Sequence, residues 1–203
     1  MIRVCVRLLA MSAVLALAAC ASAPTHFHTL VPPAGEGGGT ASAPFFIDVQ
    51  PVGVPSQVDQ PQMVLRQGSG GAALLDNERW IAPLADEIRG ALSADLSRTL
   101  NTHDVHGLPK SADQPVVRIK MDVNRFDAEL GGDAVVESVW TVRPVGAPDG
   151  QLLSCGSRVR EPAGGDYAGV VAAQQRALAR IAADIAVAVR GAGQGRATCP
   201  GPG

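Results

Sequence analysis

Few residues in this chain are of a type that does chemistry, and their spacing decides what each could do. His26 and His28 alternate, so on a strand both imidazoles would share a face and could begin a metal site. Without a third ligand nearby, they read better as strand side chains than as ligands. His103-Asp104-Val105-His106 sets an acid between two bases, yet a polar stretch of this kind is ordinarily a solvated loop. Ser69 stands among glycines in Gly68-Ser69-Gly70-Gly71. The Gly-x-Ser-x-Gly spacing of a nucleophile elbow is absent, and no strand-to-helix turn follows. No Gly-x-x-x-x-Gly-Lys phosphate loop occurs. We therefore expect neither a catalytic set nor a metal site.

Cys20 is different, because what precedes it is a processing signal. A basic start (Arg3, Arg7) leads into an apolar run from Leu8 to Ala18, interrupted only by Ser12. This is the three-part build of a secretory signal peptide, about half the length needed to span a bilayer. Leu17-Ala18-Ala19-Cys20 resembles the lipobox of bacterial lipoproteins. That likeness implies diacylglycerol on the Cys20 thiol, cleavage before it, and a fatty acid on the new amine. No other cofactor is expected. Ala21 follows where an Asp would favour retention at the inner membrane, so the expected address is the outer membrane, facing the periplasm.

Cys5 leaves with residues 1–19 and Cys20 is acylated, so Cys155 and Cys199 are the remaining thiols. An oxidising compartment favours a disulfide between them. One buried thiol and one free tail thiol is the other possibility. The whole chain carries a formal charge of −2, and losing Arg3 and Arg7 makes the mature part more acidic. Such a chain lacks the basic footprint of a nucleic-acid binder.

These residues must be positioned by the elements around them. Residues 20–44 read as a lipid-anchored tether with a short strand near 27–31, the slack coming from Ala34–Pro44 and its glycines. Residues 45–190 form the domain, and 191–203 a Gly- and Pro-rich tail. Phe45 to Val52 is strand-like. Prolines 51, 55 and 61 predict an extended path from Val52 to Pro61. Met63–Arg66 and Ala72–Leu75 make a hairpin around Gln67–Gly71. Asp76 or Asn77 could cap a helix whose stripe is Leu84, Ile88, Leu92, Leu96 and Leu100, with Trp80 anchoring its start as core or subunit contact. Val116–Phe126 alternates polar and apolar, so one face of that strand is buried. Ala134–Arg143 and Leu152–Arg160 follow, separated by a Pro148-Asp149-Gly150 turn. Asp166 caps a last helix running to about Arg190. The expected fold is α+β, a single domain with a mostly antiparallel or mixed sheet and two long amphipathic helices packed on it.

Five stretches together resemble the PqiC/YmbA-type outer-membrane lipoproteins, auxiliary components of ABC-type and MCE-type transport systems. They are Phe27–Leu30 before the prolines, Val52–Pro55 through Asp59–Val64, Asn77–Leu84, Asp122–Phe126, and the final helix from Tyr167. The sequence departs from that pattern at Gln57, Gln60 and Ala82, where the family tends to place an aromatic, an Arg and a Glu. The resemblance implies a non-enzymatic periplasmic domain that forms a homo-oligomeric ring and serves as the outer-membrane collar of a membrane-spanning MCE protein in lipid transport. Its candidate interface is the polar segment Gln57, Val58, Asp59, Gln60 and Gln62, with Trp80. A free-standing envelope lipoprotein with a structural or small-ligand-binding role is the alternative.

Overall fold

The structure, a computed structural model, describes residues 23–33, 41–109, 114–146, 152–192, 196 and 198–201. Cys20, the signal peptide, the glycines at 35, 37, 38 and 39 and the turn at 148–150 lie outside the described residues. Nine elements follow in chain order: β1 (His26–His28), β2 (Phe46–Val49), β3 (Gln62–Gln67), β4 (Gly71–Trp80), α1 (Leu84–Leu100), β5 (Val116–Ala128), β6 (Asp133–Val145), β7 (Leu153–Pro162) and α2 (Tyr167–Ala192).

The strands make two mixed sheets where one was expected. The larger has the order β2-β5-β6-β7, with β2 parallel to β5 and the other pairs antiparallel. The smaller has the order β1-β4-β3, with β1 parallel to β4. Alternation in β5 buries Val117, Ile119, Met121 and Val123 against the helices and leaves Asp122 and Asn124 on the wet side. Both helical stripes fall where the spacing puts them. Leu84, Ile88, Leu92, Leu96 and Leu100 are buried on α1, and Val170, Leu178, Ile181, Ile185 and Val189 on α2. The result is an α+β single domain with one hydrophobic core.

Several local expectations are overturned. Asp76 and Asn77 cap nothing: β4 runs on through Trp80, because this stretch pairs with β3 on one side and β1 on the other. The helix begins at Leu84 instead. Pro83 is its N-cap, and the carbonyl of Pro83 accepts from the N–H groups of Asp86 and Glu87. Asp166 does cap α2, its Oδ1 accepting from Gly169 N–H at 2.7 Å.

The expected tether is also divided. β1 is part of the smaller sheet, and Leu30 just beyond it is wholly buried. Residues 34–40 therefore join two parts of one domain and do not separate the domain from Cys20.

Candidate docking surface

The segment after β2 is extended only in its first part. Gln50 N–H donates to Ile119 O, and Gly53 bridges β5 through Gly53 N–H to Met121 O and Val123 N–H to Gly53 O. From Pro55 the chain turns. Val58 N–H donates to Pro55 O at 3.0 Å and Gln60 N–H to Val58 O at 2.9 Å. A proline restricts its own φ and the residue before it, so Ser56, Gln57 and Val58 are free to close a turn between Pro55 and Pro61.

That turn decides which candidates are displayed. Gln57 and Asp59 are exposed, Val58 packs partly on the core, and the Gln60 amide folds back to Gln57 O at 3.1 Å. Gln62 is half-buried as the first residue of β3. Trp80 N–H donates to Pro61 O, which draws the end of β4 against this segment. The Trp80 indole is 5% exposed and meets Phe126 edge-on at 6.4 Å, so most of it is core. A groove of about 320 Å³ results, lined by Asp59, Gln60, Pro61, Trp80, Ile81, Ala82 and Pro83. Asp59, Gln60 and Trp80 thus share one concave site, and Gln57, Val58 and Gln62 are outside its lining.

The two alternating histidines find a partner that sequence reasoning missed. His26 Nδ1 lies 2.7 Å from one oxygen of Glu78, and His28 Nε2 lies 2.5 Å from the other. Burial pulls the Glu78 carboxyl upward, but the hydrogen bonds and charges of His28 and His26 outweigh it and hold the group below its usual range. Glu87, buried in the first turn of α1, grips the next two residues: Thr29 Oγ1 donates to Glu87 Oε2 at 2.7 Å and Leu30 N–H at 2.8 Å. Gln175 of α2 adds a bond to Thr29 O. The N-terminal strand is therefore clasped to both layers of the domain.

Nor is His103–His106 a merely solvated loop. Asp104 forms a parallel bridge with Ile47, and its carboxylate accepts from Val49 N–H, His106 N–H, Ser93 Oγ and Arg89 Nη1. Asp48, completely buried, faces Arg118 Nε at 3.0 Å, His106 Nδ1 at 3.1 Å and the Gln50 amide at 2.7 Å. These carboxylates spend their lone pairs holding strand and loop together. Among the described residues, no group of three His, Cys, Asp or Glu is arranged to hold a metal ion.

At the other edge, the structure joins Cys155 of β7 to Cys199 of the tail, with a Cα–Cα distance of 5.6 Å. Beside the bond lies a cavity of about 400 Å³ lined by Ser138, Ser157, Arg180 and Asp184, with Pro200 and Gly201 as one wall. Trp140 Nε1 donates to Ser157 Oγ at 3.0 Å, and Ser157 Oγ donates to Asp184 at 3.1 Å.

With this geometry in view, the comparisons with known proteins are informative. The family described as the ABC-type transport auxiliary lipoprotein component matches over residues 28–186. The chain belongs to that family. Its members are envelope-associated lipoproteins tied to a transport system and non-enzymatic in kind. The crystal structure of an uncharacterized protein is similar at 20% identity, with a TM-score of 0.63, over 81% of this chain and 98% of that one. Protein XCC0632 from Xanthomonas campestris is similar at 19% identity, with a TM-score of 0.56, over 86% and 96%. At such identities the two structures speak for the fold alone. No curated protein matches the chain.

Proposed function

We propose that this lipoprotein is a non-enzymatic docking collar at the outer membrane. Acylated at Cys20, it assembles as a homo-oligomeric ring and receives an MCE-type membrane protein of a lipid-transport system. The observation that carries this reading is the family match, which runs from the end of β1 into the last turns of α2. The site chemistry agrees with it. The carboxylates of Asp48, Glu78, Glu87 and Asp104 and the imidazoles of His26, His28 and His106 hold segments together, and the displayed surface at Asp59–Pro61 and Ile81–Pro83 is a shallow groove suited to a chain segment. Prolines on both rims restrict the groove before any partner arrives, which lowers the ordering cost of binding.

The test is mild detergent extraction of the acylated protein, crosslinking in cells, and mass spectrometry of what comes with it. Replacing Asp59 and Gln62 together by Ala should weaken capture of the MCE-type protein. The melting temperature should hardly move, since partly exposed polar changes usually cost within ~0.5 kcal/mol. Undiminished capture removes this segment from the contact surface. Absence of any transporter component with the unmutated protein sinks the collar reading.

A further inference from the structure

We infer that the outward side of the small β1-β4-β3 sheet rests on the bilayer that carries Cys20; this builds on the acylation reading. Two independent observations lead there. The first is distance along the chain. Because β1 is clasped by Glu78, Glu87 and Gln175, only Ala21–Thr25 separate the anchor from the folded domain. A fully extended chain spans at most ~3.6 Å per residue, so the Phe27 Cα stays within ~25 Å of the Cys20 Cα. Residues 34–40 add nothing to that reach, since they follow β1.

The second observation is the surface presented at that short reach. His28, Glu78 and Trp80 turn toward the protein, and the residues between them turn away. Phe27 is 63% exposed and Ile81, just past the end of β4, is 68% exposed. Leu74, further back on β4, is 49% exposed. Arg79, the cross-strand partner of Phe27, brings a cation to the neighbouring strand, its Nε donating to Asp76 O at 3.0 Å. Apolar side chains flanked by a cation suit the boundary between acyl chains and phosphates of a bilayer. The docking groove shares Ile81 with this patch, so a partner seated there would be held at the membrane surface.

The experiment uses the full-length acylated protein in vesicles of phosphatidylethanolamine and phosphatidylglycerol, with and without bromine on the acyl chains. Phe27→Trp places a reporter in the patch, and Val139→Trp places one on the outward face of the large sheet, where Val139 is 45% exposed. Ile81→Trp is the second patch reporter should the first variant fold poorly. The patch reporter should shift to the blue and be quenched by brominated lipid several-fold more than the Val139→Trp reporter or the Trp80 and Trp140 background. Equal quenching of both reporters, or none on a vesicle-bound acylated chain, overturns this inference alone. So does a patch reporter shielded without bromine quenching and crosslinked to a second copy. An intact mass lacking fatty acid at Cys20 overturns the anchor reading and this inference with it.

Discussion

Removing the link between Cys155 and Cys199 by Cys199→Ser, or by reduction of the native chain, should cost stability by an amount the structure brackets. The two residues are 44 apart in sequence, so closing that loop in the unfolded chain costs about 4 kcal/mol in the chain-entropy account. The full amount appears only if the tail remains docked when the bond is gone. From the end of α2 at Ala192 to Cys199 is about seven residues, and if the tail swings free the native state regains the closure entropy of that short loop. The difference, (3/2)RT ln(44/7), is about 1.6 kcal/mol. Noncovalent hold on the tail includes Arg196 N–H to Gly191 O at 2.9 Å and the seating of Pro200 and Gly201 at the cavity wall. The lower figure applies if the tail swings free once the bond is gone. Urea unfolding of the oxidised chain, the reduced chain and Cys199→Ser should in that case show losses near 2 kcal/mol, a shift of roughly 2–4 °C in Tm for each kcal/mol. A loss below about 0.5 kcal/mol would refute the loop argument. A loss near 4 kcal/mol would show a tail that docks without its bond.

Three further outcomes follow from single sites. Glu78→Gln should lower stability at neutral pH: a carboxyl held low in the fold contributes stability that is present above its unfolded pKa and lost as pH falls through the folded value, so the variant's melting curve should be flatter on the acid side. Asp95 runs the other way, because desolvation pushes its carboxyl up despite Arg98, and the stability it contributes is present in acid and fades as pH rises. Asp95→Asn should then leave stability unchanged or raised at neutral pH and confer no gain in acid; a loss above ~1 kcal/mol at neutral pH would contradict this. Gly169→Ala should destabilise by about 1–3 kcal/mol in a denaturant titration, although alanine is the better helix former, because its Cβ would sit 2.6 Å from the Gly164 Cα and 2.9 Å from the capping oxygen of Asp166.

What the sequence discloses and what it hides divide along the range of the interactions involved. The stripes Leu84–Leu100 and Val170–Val189 are periodic within one element, and packing did not disturb them. The alternation of β5 is equally local. Asp76 and Asn77 mislead because a cap and a strand irregularity use the same residue types, and only the pairing of the next residues, Glu78–Trp80, with β1, some fifty residues earlier, carries the strand past them. Glu78 is invisible for the same reason: the alternation of His26 and His28 announces a shared face but not what stands opposite it. The groove is likewise assembled from two stretches about twenty residues apart, joined by the bond from Trp80 N–H to Pro61 O.

The same blindness to long-range bonds moves the anchor. A glycine-rich run between Pro33 and Pro44 looks like slack below a domain, yet the bonds that tie His26, His28, Thr29 and Leu30 to Glu78 and Glu87 come before it in the chain. Once they form, the play between Cys20 and the folded unit is that of Ala21–Thr25 alone. A segment so short cannot let the domain tumble freely over the membrane, because its reach is of the order of the domain's own radius, ~15–20 Å. The clasp of Glu78 on two histidines therefore does more than close a sheet edge. With Cys20 acylated as proposed, ending the tether at β1 would select which side of the protein lies nearest the lipid.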